Sequence, residues 1–593
     1  MITANQGKLR GCDDDGHALS RCLPDFEPWS CAAATRSTIA AAFERLEHTL
    51  RPEAALVVYL SGHGGWARFR GQPSSAGATE WPFFVTADQG TGDRFTSVLA
   101  VELSALVGRC VRRTRNVTVI VDTCFAPELV RGGASIKSFG RHEFARPDWL
   151  GHVEARCTAD RRERSLVDEH IVCVNAAGAE QPAYEAEGRD GRRGGAFTHE
   201  LCELIKHARA RRVSWRLLVS VIARRLAQRW GEAFQQPVVS GPDTRRLFLL
   251  ARAEHGASVR VTAGAGGSLW LGCGALHGAD VGDRFIAHDG TKFVELELMD
   301  VRGNCSRARS DGGIPEDGGL AFPVARTRKL SVEFALSDPV RRQLIQALST
   351  ARHLQIRASD QAPDLCVRDD TPALSIESGT GELLLSSSRA NVLEDLDGLT
   401  RARLFEDACA GGSGWRHEWT LAVFIERGGT RSPLHDGMRA CVGDRMWVEA
   451  SNRSACDIPK LYLNLVERGV DGMLRVLHAA HFPSGVPIRA GTMRRLLWYP
   501  DGPHGHCLRW PGNVPRDRPR TLCWFFVATA LPLDLRTLDR TSARPSSLLR
   551  PRRAALASSA LTPVPVATAA LTVPSMCWSV RRFNFVVEDR PAR

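Results

Sequence analysis

The sequence predicts an α/β domain built on a doubly wound, mostly parallel sheet over the first 250 residues, followed by mostly-β accessory domains. Three observations carry this. Continuous apolar runs rich in β-branched residues occur at 55–60, 116–121 and 170–174, the pattern of strands buried on both faces of a parallel sheet. Helical stripes alternate with those runs. Beyond residue 250 the pattern changes to short alternating segments separated by Gly-rich turns, the mark of β structure.

Taken in order, only MITANQGK precedes Leu9, so no apolar run is available for a strand there. Thr35 caps a helix that carries Ile39, Phe43, Leu46 and Leu50 on one stripe. A second helix over 101–111 repeats the pattern with Leu103, Leu106 and Val107, and two more follow over 197–208 and 213–230. Residues 251–335 read as a small β module and 336–414 as a mixed α/β connecting region with a helix near 339–348. Strands at 421–425, 445–449, 461–466 and 521–527 make 415–540 a β-sandwich. The Ala-, Ser- and Pro-rich stretch 541–575 reads as a linker, and 576–593 as a C-terminal strand or tail around Phe583–Val587. No solenoid-length repeat is present.

Composition narrows the function classes. At 593 residues the chain holds several domains of ordinary size, roughly 150 residues each. No window of 18 uninterrupted apolar residues occurs, and the N-terminus lacks the apolar segment of a secretory signal, so no membrane partner is expected. Seventeen scattered cysteines, never spaced CxxC, argue against a disulfide framework or a zinc ribbon. Cytoplasmic location is the expectation. The net charge of +12 comes from arginine, since only six of the 78 basic residues are lysines. The arginines are spread along the whole chain, so no nucleic-acid partner is expected.

In an open parallel sheet, chemistry collects beyond the carboxyl ends of the strands. His63 follows the first apolar run, within Ser61-Gly62-His63-Gly64-Gly65, and Cys124 follows the second, within Asp122-Thr123-Cys124. A thiolate is the reactive form of cysteine, and an adjacent imidazole lowers its pKa and shuttles the proton. Gly64 and Gly65 leave a bare backbone beside His63, where an N–H can face a developing oxyanion. His478 and His481, or His504 and His506, lack companions at ligand spacing and predict no metal site.

These residues resemble the His and Cys blocks of caspase-like cysteine peptidases, in particular the metacaspase branch. Gly11-Cys12-Asp13-Asp14-Asp15 is similar to that family's early Gly-Cys-x-x-Asp segment. Val174-Asn175-Ala176-Ala177-Gly178, Gly195-Ala196-Phe197-Thr198 and Gln236-Pro237 resemble its later blocks, in the same order. The resemblance implies a cysteine endopeptidase with Cys124 as nucleophile, His63 as general acid–base, and the N–H groups of Gly64 and Cys124 as oxyanion donors. It also implies a specificity pocket of Cys12, Asp15, Ser61 and Asp122. Two carboxylates in a narrow cleft favour a lysine or arginine side chain, so the expected partners are proteins or peptides cut after a basic residue. Calcium activation is a further implication. Asp88 is one candidate ligand, but a single carboxylate is no calcium site, and no other cofactor is expected.

In the resemblance, 131–168 is the linker between large and small subunits. Lys137, Arg141, Arg161, Arg162 and Arg164 are then candidate self-cleavage sites, with an ordinary surface loop as the alternative reading. Val442-Gly443-Asp444-Arg445, Gly472 and Phe482-Pro483 resemble an uncharacterised β-sandwich appended to bacterial caspase-like proteins, which implies an unidentified protein partner for the β domains. The rival to the peptidase is a catalytically inactive caspase-fold interaction module. Phe125-Ala126-Pro127 after Cys124 favours that rival, because the family places His or Asn and then Ser-Gly there.

Overall fold

The structure is a computed structural model. It describes residues 1–593 except 5–8, 10, 32–33, 71–79, 91, 124–134, 154–169, 179–180, 189–190, 232–233, 252, 254–257, 265–266, 316–317, 349–352, 358–360, 371, 390, 412–414, 416, 454–459, 498–504, 540–577 and 589–593. The chain divides into two compact units, the first over residues 1–254 and the second beginning at residue 255.

In chain order the first unit contains β1 (Ile2–Thr3), α1 (Cys12–Cys22), α2 (Arg36–Thr49), β2 (Ala55–Ser61), β3 (Gly64–Phe69), β4 (Trp81–Phe84), β5 (Val98–Leu99), α3 (Ala100–Val111) and β6 (Asn116–Asp122). It continues with β7 (Ser135–Ile136), β8 (Ser138–Phe144), β9 (Ile171–Asn175), β10 (Tyr184–Glu187), β11 (Arg193–Gly195), α4 (Ala196–Ala210), α5 (Trp215–Trp230) and β12 (Val238–Ser240). The central sheet has the order β1-β2-β6-β9-β12; its first four strands are parallel and β12 runs antiparallel to β9.

Strand alternation divides the side chains between two helical layers. Leu56, Val58 and Leu60 of β2 and Val117 of β6 pack with Ile39 and Phe43 of α2 and Val107 and Val111 of α3. Burial of a side chain such as Phe43 contributes about 1.5–3 kcal/mol. The Thr35 hydroxyl caps α2 by accepting from the Thr38 N–H, as the sequence predicts. The intervening positions of β2 and β6 face the other way. There the Tyr59 hydroxyl lies 2.8 Å from Thr198 Oγ1 of α4, which packs on both α1 and α5.

One local expectation is corrected. A strand does precede Leu9: Ile2 and Thr3 pair in parallel with Leu60 and Ser61, and the Ala4 N–H donates to the Ser61 carbonyl. Two residues anchored through backbone bonds leave no apolar run to detect. The acidic segment after Gly11 is helix α1, whose buried positions are Cys12, Asp15, Gly16 and Leu19. That is the i, i+3, i+4, i+7 spacing of an inward face, disguised because one of its four members is a carboxylate.

Two small sheets flank the carboxyl end of the central one, in the orders β5-β4-β3-β8 and β11-β10-β7. The second unit opens with a closed six-stranded barrel formed by strands between Val259 and Ala325, filled by Val261, Leu271, Phe285 and Leu296 among others. A five-stranded mixed sheet with helices Asp338–Leu348 and Val392–Gly411 follows. Next come two further sheets whose main strands are Trp419–Arg427, Arg445–Asn452, Lys460–Arg468 and Arg520–Thr529. Strand Trp578–Glu588 pairs with Arg520–Thr529 over ten residues and buries Phe585, so it is an inner strand of its sheet. The linker at 541–575 lies outside the described residues.

Candidate active site

The last residues of β2 and β6, Ser61 and Asp122, are register partners. Both fall on the alternation phase of Tyr59, which directs them toward α1 and α4. α1 brings Asp15 to the same point, where the Ser61 hydroxyl donates to Asp15 Oδ2 at 3.2 Å. The four predicted pocket residues, Cys12, Asp15, Ser61 and Asp122, are therefore all buried at one end of the sheet.

A fifth residue fills the space between them. Lys137 is fully buried, with Nζ 3.2 Å from Asp15 Oδ2, 3.0 Å from Asp122 Oδ2 and 2.9 Å from Ser61 Oγ. Two carboxylates around one ammonium offset the cost of removing all three from water. Burial alone would lower the lysine pKa, but Asp122 and then Asp15 outweigh it and hold the ammonium well above the usual lysine range. Burial pushes Asp15 up to about 6, with Lys137 drawing it down and Asp122 repelling it. Burial also pushes the Cys12 thiol up to about 12, so that wall of the pocket is neutral.

Further groups hold these residues in place. The Gly195 N–H donates to both oxygens of Asp15, at 2.9 Å each. A Cβ at Gly195 would overlap Asp122 Oδ2 and crowd Lys137 Nζ, so only glycine fits between the two acids. Thr198 donates to Asp122 Oδ2 at 2.6 Å and meets Tyr59 on its other side. Buried Glu185 accepts from the Gly11 N–H at 2.6 Å and pairs with Arg193 at 3.1 Å. Gly195 and Thr198 stand in a segment the sequence already marks, Gly195-Ala196-Phe197-Thr198. Glu185 and Tyr59 carry no sequence signal, because their role depends on which strands become neighbours.

The backbone around Lys137 is as specific as its side chain. β7 adds to β10 as an antiparallel strand, Ile136 opposite Tyr184 and Ser135 opposite Glu185. The Lys137 N–H then donates to the Ala183 carbonyl at 2.9 Å, and the Lys137 carbonyl accepts from the Gly64 N–H at 3.0 Å. Gly64, expected to face an oxyanion, thus holds the carbonyl of the residue seated in the pocket. His63 is the neighbouring residue, 8% exposed, its own carbonyl bonded to the Val85 N–H. Gly62 and Gly65 are needed here for packing, since a Cβ at either would press on the rings of Phe84 and Phe83.

Cys124 lies outside the described residues, and so therefore does its expected contact with His63. Thr123, just before it, is buried. Of the candidate cleavage residues, Lys137 is in the pocket and Arg141 is exposed, 3.4 Å from Glu80. Arg161, Arg162 and Arg164 lie outside the described residues. Asp88 is exposed, and among the described residues no group of three or more His, Cys, Asp or Glu side chains is placed to hold a cation. His478, considered for metal binding, is buried with Nδ1 accepting from the Leu465 N–H and Nε2 3.1 Å from Asn464 Oδ1. No described helix is long and apolar enough to cross a membrane.

A parallel sheet between helices, with a histidine and buried carboxylates beyond its strand ends, agrees with the caspase-like class that the sequence resembles. Residues 2–249 match the family model described as Caspase domain. Residues 2–249 thus form a caspase domain, and the chain continues into a mostly-β remainder. Among solved structures, protein GSU0716 from Geobacter sulfurreducens is similar at 18% identity with a TM-score of 0.27, over 40% of this chain and 91% of that one. No curated protein matches the chain.

Proposed function

We propose that the first unit is a latent cysteine endopeptidase that hydrolyses peptide bonds after lysine or arginine, and that Lys137–Ser138 is its first substrate bond. One observation carries the reading: the chain's own lysine sits between Asp15 and Asp122 as a substrate's basic side chain would. An antiparallel strand leads to it, and its carbonyl rests on the Gly64 N–H. On this reading the Cys124 thiolate attacks the carbonyl carbon while the Gly64 N–H holds the oxyanion. His63 then gives a proton to the departing amine and later takes one from the water that releases the acyl group. Arginine would suit the same pair of carboxylates through bidentate bonds.

The second reading, an inactive interaction module, draws on the same occupancy, because a filled pocket admits no other substrate. Incubating wild type and Cys124→Ala, then locating new termini by mass spectrometry and following an arginyl fluorogenic peptide, separates the two. A cut after Lys137 and peptide turnover, both absent in the variant, are expected. An intact Lys137–Ser138 bond and no turnover in folded wild type would leave the module.

A further inference from the structure

At the opposite end of the first unit's sheet lies a second cavity, of about 620 Å³, at the entry to β2 beside Ala54 and Ala55. Its size is that of sites for small organic ligands. The length of β2, at about 3.3 Å per residue, separates it by roughly 20 Å from Ser61 and the acidic pocket. Phe26, Val213, Leu247 and Phe248 give it apolar walls, and three arginines, Arg209, Arg212 and Arg246, reach it.

The charges in this cavity are unbalanced. Arg209 is paired with Asp25, and Glu27 accepts from the Trp29 indole at 3.0 Å. That engages both carboxylates of the lining. Arg212 and Arg246 have no carboxylate partner among the described residues, and Arg246 Nε is buried without a hydrogen-bond acceptor among them. Burial, and then the nearby charge of Arg212, both act against the Arg246 cation. Buried donors of this kind are ordinarily satisfied, and this one belongs to an arginine of the cavity lining.

The backbone is strained at the same place. Three non-glycine residues have positive φ among those described, and two of them line this cavity: Arg212 at 58° and Phe248 at 60°. Such conformations cost on the order of 1–3 kcal/mol each and persist where surrounding structure enforces them. Phe248 is held by Asn116, whose side-chain amide donates to its carbonyl at 2.8 Å, and by edge contacts with Phe26 and Trp215. The strained turn keeps Phe248 as a wall and Arg246 beside it. Leu249, 52% exposed, extends the apolar surface at the rim.

We propose that this cavity binds a small amphipathic anion, a phosphate or carboxylate group seated between Arg212 and Arg246 with an apolar or aromatic body against Phe26, Leu247 and Phe248. Guanidinium forks match both oxyanions, so the headgroup chemistry is shared between phosphorylated compounds and organic acids. The site is independent of the peptidase reading.

The test is calorimetric titration of the full chain with phenyl phosphate and with 3-phenylpropionate, benzyl alcohol serving as the neutral control. Saturable, salt-sensitive binding of at least one anion and none of the alcohol is expected. The preferred anion then identifies which source the site serves. Arg212→Gly removes one cation while supplying a residue that tolerates the local φ. It should raise the Tm of the free protein and weaken anion binding by about tenfold. Arg246→Met should weaken binding at least as much. Equal binding by wild type and both variants, or no saturable binding at millimolar anion, overturns the proposal.

Discussion

Replacing Lys137 with alanine tests the charge arrangement of the pocket directly. The substitution leaves Asp15 and Asp122 buried together with no counter-cation, and breaking a buried pair in this way costs about 3–5 kcal/mol. The penalty depends on pH, with a sign that follows from Asp15. Its folded pKa, about 6, lies above the ordinary carboxylate value of about 3.9. The folded state therefore binds the extra proton between those values. Stability from this group is complete below about pH 4 and lost as pH rises through 6, by on the order of 3 kcal/mol in all. Removing Lys137 removes an attraction that holds Asp15 down, so the folded pKa climbs further. At about pH 5 Asp15 is largely protonated with or without the lysine, and the penalty reflects mainly Asp122. At about pH 8 the variant must leave two carboxylates unpaired or keep a proton against the solution, so the penalty is larger. Hydrogen exchange of peptides from β2 and α4, read at the two pH values, reports the opening free energy of this unit alone. A loss below about 1 kcal/mol at both pH values would refute the assignment of Lys137 as the counter-ion of the two acids.

Three further outcomes are expected. His63→Ala and Cys124→Ala should each reduce cleavage after Lys137, and of an arginyl peptide, by at least about a hundredfold with unchanged exchange in β2; a smaller loss removes that residue from the dyad. Thr198→Val deprives Asp122 and Tyr59 of a shared hydroxyl, and a cost of about 1–3 kcal/mol in α4 protection is expected; wild-type protection would show that this bond carries nothing. Phe585→Ala should destabilise the second unit by about 3–5 kcal/mol in thermal or denaturant unfolding, whereas a loosely attached C-terminal strand would tolerate it.

Much of the first unit is legible because its elements announce themselves locally. The runs at 55–60 and 116–121 need no partner to be recognised as buried strands, and Thr35 with its apolar stripe marks α2 in the sequence alone. What escapes is whatever a distant partner makes. β1 is two residues long and exists because β2 supplies its hydrogen bonds. α1 hides its inward face because Asp15 is buried among groups contributed from residues 61, 122, 137 and 195. That Cys12, Asp15, Ser61 and Asp122 gather at one end of the sheet is reachable through family resemblance, since their motifs are contiguous. That Lys137 fills the pocket is not reachable, because no spacing rule says which of several basic linker residues returns to β10. The strand at 578–588 is visible as an apolar alternation, but its place inside a sheet depends on pairing with 520–529, across an intervening segment of low complexity.

On the proposed reading, the seated lysine is also a tethered competitor of any other substrate, and this fixes a kinetic expectation. Only the eleven residues 124–134 separate Thr123, at the end of β6, from Ser135 of β7. A tether that short holds its end at an effective concentration of about millimolar. A free arginyl peptide must exceed that level to enter, both before cleavage after Lys137 and afterwards, when the new carboxyl terminus is still attached beside the pocket. Lys137→Ala abolishes the competitor's anchoring charge while leaving His63, Gly64 and Asp122 in place. The apparent KM for an arginyl peptide should therefore fall by about tenfold or more relative to wild type, with little change in kcat, and the bound arginine should restore the stability lost with the lysine. An unchanged KM in a folded Lys137→Ala protein would mean that the lysine is a structural plug rather than a substrate surrogate. The two carboxylates would then exist to hold the fold together at this corner.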